Sequence, residues 1–267
     1  MTTKAGILFG AAIAVVAAAC GGCQARSGGG PAHRHVAVAA AADLRFALDE
    51  LTAAFRRAHA EVDVAVSYGS SGNFYTQLLN RAPFDVFLSA DLDYPKKLAQ
   101  QGLTRGPVFA YAVGRIVLWV PASSPIDVSA LGMNALAAPQ VSHIAIANSA
   151  HAPYGRAAEA AMKTSGIYDR VQPKLVFGDN VGQALQFVQS GSADIGIVAL
   201  SLAVSPAAAS AGRFWEVPLT MYPRVEQGGT MLDWASDPEA ARLLCDFITG
   251  SRGRGTLKRF GFYLPGD

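Results

Sequence analysis

The sequence predicts an α/β protein of two lobes, each a mostly parallel sheet flanked by helices, with a ligand cleft between them. Three observations carry that expectation. Short apolar runs of strand length alternate with amphipathic helical stretches. The alternation comes in two sets, separated by a change of pattern near residues 111–118. In both sets the loops leading from strand to helix are small and polar, and that is where an open α/β sheet holds its ligand.

In the first set, VAVAAAA (36–42) has the length of a buried strand, and DLRFALDELTAAFRRAH places Leu44, Ala47, Leu48, Leu51 and Phe55 on one helical face. VDVAVSY follows as a strand, GNFYTQLLNR as a helix and DVFLSA as another buried strand. The order β-α-β-α-β implies parallel pairing with the helices on the sheet faces. The second set runs RIVLWVP, HIAIAN, the helix GRAAEAAMKTSG, KLVFG, the helix VGQALQFVQSG and DIGIVAL. Beyond FWEVPL the chain passes through PRVEQGG to a terminal helix, PEAARLLCDFITG, and a closing GTLKRFGF. This division assigns residues 36–112 and 220–267 to lobe 1 and 113–219 to lobe 2, with hinge crossovers near 111–118 and 214–222.

Ahead of the folded part, Met1 to Lys4 make a short positive start and GILFGAAIAVVAAA an apolar run suited to a secretory signal and too short for a membrane span. The run ends at Cys20, as in a lipoprotein signal, although Ala17 stands where Leu or Val is usual; cleavage without lipidation is the alternative. Residues 1–20 are thus expected as the signal and 21–35, rich in Gly and basic residues, as a tether, with a lipid on Cys20 as the sole attachment to a membrane. Of the 3 cysteines only Cys245 falls in the body, so no internal disulfide is expected there and the fold must rest on its core. A formal net charge of +2 argues against a nucleic-acid partner.

Four loops fall at the expected place: AAAADL (39–44), YGSSGN (68–73), ANSAHAPYG (147–155) and GDNVGQ (178–183). Each leads toward a helix N-terminus, where free NH groups and the helix dipole favour an anion. None contains a lysine or arginine, and the phosphate-binding pattern G-x-x-x-x-G-K-[ST] is missing. The plainer alternative makes Ser70 and Ser71 simple helix caps. An enzyme would need Ser70 or Ser71 as nucleophile, His151 as base and Asp85 or Asp91 as orienting carboxylate, yet no G-x-S-x-G elbow surrounds either serine. His33, His35, His59 and His143 are too dispersed in the chain to suggest a metal site. The residues by themselves therefore point to a cleft for an oxyanion.

The ordered set AAAADLRFALDEL, YGSSGNFYTQL, APFDVFLSAD, ANSAHAPYGRAAEAAM, FGDNVGQALQFVQSGSADIGIV, YPRVEQGG and KRFGF resembles the periplasmic molybdate-binding proteins of ABC transporters, from Val36 nearly to the end. The resemblance implies an extracytoplasmic, monomeric solute-binding protein that captures molybdate, and tungstate with it, without a cofactor. It would deliver the ion to a membrane permease driven by its ATPase. Sulfate or phosphate is the alternative ligand, and a secreted serine hydrolase the more remote alternative. By the same resemblance Ser71 donates its hydroxyl and NH to the oxyanion, Val181 donates a backbone NH, and Tyr154 donates its phenol in place of a tyrosine that other members carry where this chain has Ala199. Ser201 is expected to matter little.

Asp43 departs from the pattern, standing where relatives have serine or asparagine. A carboxylate repels a dianion unless it turns away, is protonated or coordinates the metal. The expectation is that it turns back to cap the helix beginning at Leu44, its side chain at a partly solvated cleft edge, while its NH serves the ligand.

Overall fold

The computed structural model describes residues 34–267. The expected signal (1–20) and all of the tether except Arg34 and His35, including Cys20, lie outside the described residues. The last two residues expected in the tether belong to the fold: Arg34 and His35 open strand β1 (Arg34–Ala41) and pair with Val62 and Asp63 of β2 (Val62–Gly69). The Arg34 guanidinium also grips Asp237 through two 2.6 Å hydrogen bonds, which fastens the strand start to the helix Pro238–Thr249.

Two five-stranded sheets organise the molecule. The first has the order β2-β1-β3-β10-β4, with β3 at Val86–Ser89, β4 at Thr104–Gly114 and β10 at Val225–Leu232. The second has the order β7-β6-β8-β5-β9, with β5 at Ile116–Pro121, β6 at Ile144–Ala147, β7 at Leu175–Gly178, β8 at Ile195–Ala199 and β9 at Gly212–Glu216. In each sheet the first three strands are parallel, and a single strand, β10 or β5, runs against its neighbours. Each opposed strand comes immediately after the chain has crossed from the other sheet, at Gly114–Ile116 and between Glu216 and Val225. Arg115 ties these crossings together, donating to the Gly261 carbonyl and to Glu216, both at 2.9 Å.

Local chemistry explains the elements nearest the cleft. The helix Ser71–Leu79 begins where Ser70 accepts the NH of Asn73, and Val181–Gln189 where the Asn180 side chain accepts the NH groups of Gly182 and Gln183. The helix Pro153–Thr164 carries proline in its first turn, where no backbone NH is required. The apolar face foreseen for the first helix is the buried one: Ala47, Leu48, Leu51 and Phe55 pack with Val36, Val38, Val62 and Val64 in the core of the first sheet. The second sheet has its own core, built from Ile116–Val120 of β5, β6, β8 and the inward faces of its helices. Among the described residues, Cys245 is a buried free thiol and no helix is long and apolar enough to cross a membrane.

Candidate anion-binding site

The C-terminal ends of β1, β2, β6 and β7 meet at one small cavity, lined by Ala41–Asp43, Gly69–Ser71, Ala90, Ala152–Tyr154, Asn180 and Val181. It brings together Asp43, Ser71, Tyr154 and Val181, the four residues singled out in the sequence, from loops of both sheets. As seen by the centre of a water molecule the void is about 10 Å³, the scale of one compact occupant. A larger groove of about 280 Å³ lies alongside, but Asp91, Asp93, Arg156, Arg224 and Glu226 line it with charges of both signs, and Asp91 and Arg156 already pair at 2.5 Å.

At one end of the cavity the polar groups are donors. Ser71 is fully buried, and its Oγ accepts the NH of Ala90 at 2.9 Å, leaving its O–H to point elsewhere. The NH of Ser71, in the first helical position, has no intrahelical acceptor, while Ser70 caps Asn73 and the NH of Gly72 donates to the His151 carbonyl at 2.9 Å. Val181 stands in the same position of its own helix: Asn180 Oδ1 takes the next two NH groups at 3.0 and 3.1 Å, and that of Val181 remains. Two helix dipoles and at least one hydroxyl thus face the void without a cation.

The other end is unlike the sequence expectation. Asp43 does not cap the helix that follows: it lies in a 3-10 turn (Ala42–Leu44), and no side-chain capping bond forms at that turn or at the helix. Nor is it at a solvated edge, being 1% exposed. Its Oδ2 instead accepts the Tyr154 hydroxyl at 2.9 Å and Gln227 Nε2 at 2.6 Å, and Gln227 Nε2 also reaches the Tyr154 oxygen at 3.1 Å. The physical reason is closure of the cleft. With Tyr154 arriving from the second sheet and Gln227 from β10, two side-chain donors out-compete the local NH groups. Burial pushes the Asp43 carboxyl up to about 6 although both hydrogen bonds favour its charged form, and the Tyr154 phenol is pushed well above its ordinary range by burial and the neighbouring carboxylate. Ser201, set aside in the sequence, donates its hydroxyl to the Asp43 carbonyl at 2.8 Å.

His151 does more than fill its loop. Its Nδ1 lies 2.9 Å from Ser70 Oγ, and its carbonyl takes the NH of Gly72. A Cβ on Gly72 would stand 2.5 Å from that carbonyl oxygen, so the close approach requires glycine. The Ser70–His151 pair is the one a hydrolase would need, but the carboxylates are engaged elsewhere. Asp85 accepts from Ala37 and Ser236, and Asp91 from Asp93 and Arg156. The pair is a clasp between the two sheets. Gln227, in the stretch PRVEQGG, and Ser201, in the apolar run IVALSLAV, left no signal in the sequence that marked them for the site.

A two-sheet α/β molecule with strand-to-helix loops converging on a cation-free cleft is the architecture of a binding protein for a small solute. The chain belongs to the bacterial extracellular solute-binding protein family, whose model matches residues 36–263. Its relatives include the molybdate-binding protein ModA of Rhodobacter capsulatus, 36% identical over 200 residues that cover 74% of this chain and 77% of that protein. ModA of Azotobacter vinelandii is 36% identical over 232 residues, covering 86% of this chain and 90% of the relative. Among solved structures, the Azotobacter vinelandii periplasmic molybdate-binding protein superposes with a TM-score of 0.80 at 33% identity, over 86% of this chain and 99% of that one. The sulfate-binding protein SubI of Mycobacterium tuberculosis, at 15% identity and a TM-score of 0.70 over 88% of each chain, shares the fold.

Proposed function

We propose that this protein captures molybdate outside the cytoplasm and hands it to an ABC permease, with Ser71, Val181, Tyr154 and the Asp43 loop as the groups that hold the ion. The observation that carries the reading is the cavity itself: helix N-termini and a buried hydroxyl from two lobes converge on a void with no cation. A dianion is then held by fixed dipoles, each hydrogen bond to a charged acceptor contributing about 1.5 to 3 kcal/mol. Fixed donors also select by size, since a ring spaced for the long metal–oxygen bonds of molybdate leaves sulfate or phosphate short of partners. Tungstate, nearly isosteric with molybdate, should bind as well. The relatives named for molybdate support the choice of ion. The Asp91–Arg156 pair and the Ser70–His151 clasp support closure of the lobes around the ion, a hinge movement about the two crossovers. Attachment to the membrane through Cys20 completes the proposal.

Calorimetric titration of the protein without residues 1–33 tests it. Heat with molybdate and tungstate, and none with sulfate or phosphate, is the expected result. Heat only with sulfate or phosphate transfers the assignment to another oxyanion, and ester hydrolysis without anion binding transfers it to an enzyme.

A further inference from the structure

Where Asp43 and Tyr154 line the cavity, backed by Gln227, the wall presents a carboxylate, which is the wrong polarity for an anion. Asp43 is 1% exposed and Gln227 is fully buried, yet Asp43 Oδ1 and Gln227 Oε1 have no hydrogen-bond partner. Two buried oxygens without a protein donor are costly, and the cost rises when one belongs to a carboxylate. The groups facing Asp43 do not neutralise it. Tyr154 comes from the helix Pro153–Thr164, Gln227 from β10, Ser201 from the short helix Leu200–Ala203, and Tyr111 from β4. All four are uncharged, since burial holds both phenols protonated, and no cation bonds to the carboxylate. The two donors that hold its Oδ2 are themselves closely packed: a Cβ on Gly114 would stand 2.1 Å from the Tyr154 oxygen and 2.8 Å from Gln227 Nε2.

A dianion entering this void therefore meets a buried carboxylate of like charge across a low-dielectric gap. One change removes the conflict. We propose that Asp43 takes up a proton from solvent when the oxyanion binds, so that the cleft captures one anion and one proton together. The inference rests on the oxyanion reading above and adds to it the protonation state of the site. The new O–H turns the orphaned carboxyl oxygen from a repulsive acceptor into a donor to the ligand. The neutral carboxyl also holds the Tyr154 hydroxyl less tightly, freeing that proton for the anion, while Gln227 Nε2 stays on Oδ2. Burial has already brought the carboxyl up to about 6, close enough to neutrality for a neighbouring dianion to complete the change.

The sign follows from linkage. Below the carboxyl's pKa in the free protein the proton is already present and affinity is flat; above it, binding must draw a proton from solution and weakens tenfold per pH unit. With that value at about 6, affinity for molybdate should fall about 50-fold between pH 6 and pH 8. Titration with sodium molybdate from pH 5.5 to 8.5, in two buffers of different ionisation enthalpy, reads both quantities. Proton uptake per anion should rise from about one half at pH 6 toward one at pH 8. In Asp43→Asn both the slope and the uptake should vanish, and the variant should bind more tightly than the parent at pH 8. Should the variant not fold, uptake by the parent still decides the matter. Molybdate binding with no uptake and a flat profile overturns the proposal, as a carboxylate coordinating the metal would give. A slope that persists in Asp43→Asn also overturns it, moving the proton to another group. Absence of molybdate binding at every pH in the folded parent defeats the functional reading and this inference with it.

Discussion

At the Ser71–Val181 end of the cleft every polar group has a settled partner except those that face the void; at the Asp43 end the unpartnered groups are acceptors that no neighbour satisfies. The first end is the product of local chemistry. Ser70 caps its helix through Asn73 while His151 takes the NH of Gly72, and Asn180 takes the two inner NH groups of its own helix, so the outermost NH of each helix is left over. The second end is the product of assembly, since Asp43, Tyr154 and Gln227 come from three distant parts of the chain. The contrast teaches that an anion site can be preorganised at one wall and conditional at the other: the donor wall is ready at any pH, while the acceptor wall becomes compatible with an anion after gaining a proton.

The largest effect that would break this comparison is on stability. The Asp43 carboxyl is raised from 3.8 to about 6 in the folded protein, so the native state binds the proton more tightly than the unfolded chain. Its contribution is fully present below about pH 4 and is lost as pH rises through about 6. Asp43→Asn escapes that loss and should be more stable than the parent at pH 7.5 by up to about 3 kcal/mol, the two converging below pH 4. Thermal unfolding across that range measures it. An unchanged melting temperature at pH 7.5 would mean that the ligand-free cleft opens and rehydrates the carboxylate.

Next in size is the donor wall. Ser71→Ala should weaken molybdate binding by about 1.5 to 3 kcal/mol, because a hydrogen bond to a charged group is lost and the NH of Ala90 loses its acceptor. The loss should be the same at pH 6 and pH 8, since Ser71 makes no bond to the Asp43 carboxyl. A Ser71→Ala protein with parental affinity removes the hydroxyl from the site.

Tyr154→Phe sharpens the comparison, because the tyrosine belongs to both ends. Its removal should cost about 1.5 kcal/mol of affinity and, by deleting one of the two hydrogen bonds that favour the charged carboxyl, should move the pH profile to higher pH. Loss of affinity with an unmoved profile would show that the phenol serves the ligand and leaves the carboxyl's titration untouched.

How far the sequence anticipated this arrangement follows the same division. The strand-to-helix loops were legible because caps such as Ser70 and Asn180 announce themselves within a few residues. The helix Asp93–Gln100 was not, since Pro95 in DYPKKLAQ looks like a breaker although the first turn tolerates it. Nor did YPRVEQGG announce β10, the strand inserted between β3 and β4 that delivers Gln227 to the site. The expected cap at Asp43 failed for a related reason. Local preference placed the carboxylate on its own helix, and two donors supplied by tertiary closure took it instead. Contacts that depend on pairing across 111 and 184 residues of chain leave no periodic trace.

The smallest predicted effect concerns Ser201, which the loop pattern set aside. Its hydroxyl donates to the buried Asp43 carbonyl across the lobes, at 2.8 Å, and so holds the backbone of the acceptor corner without touching its carboxyl. Ser201→Ala removes a neutral hydrogen bond to a buried carbonyl, a cost of about 0.5 to 1.5 kcal/mol that falls on the closed form. Affinity for molybdate should drop by that amount equally at pH 6 and pH 8, with proton uptake unaltered. That evenness separates it from Tyr154→Phe, which shifts the profile as well as the affinity. If Ser201→Ala instead moved the pH profile, the carbonyl and the carboxyl of Asp43 would be acting as one unit, and the boundary drawn here between backbone support and proton-carrying side chain would have to be redrawn.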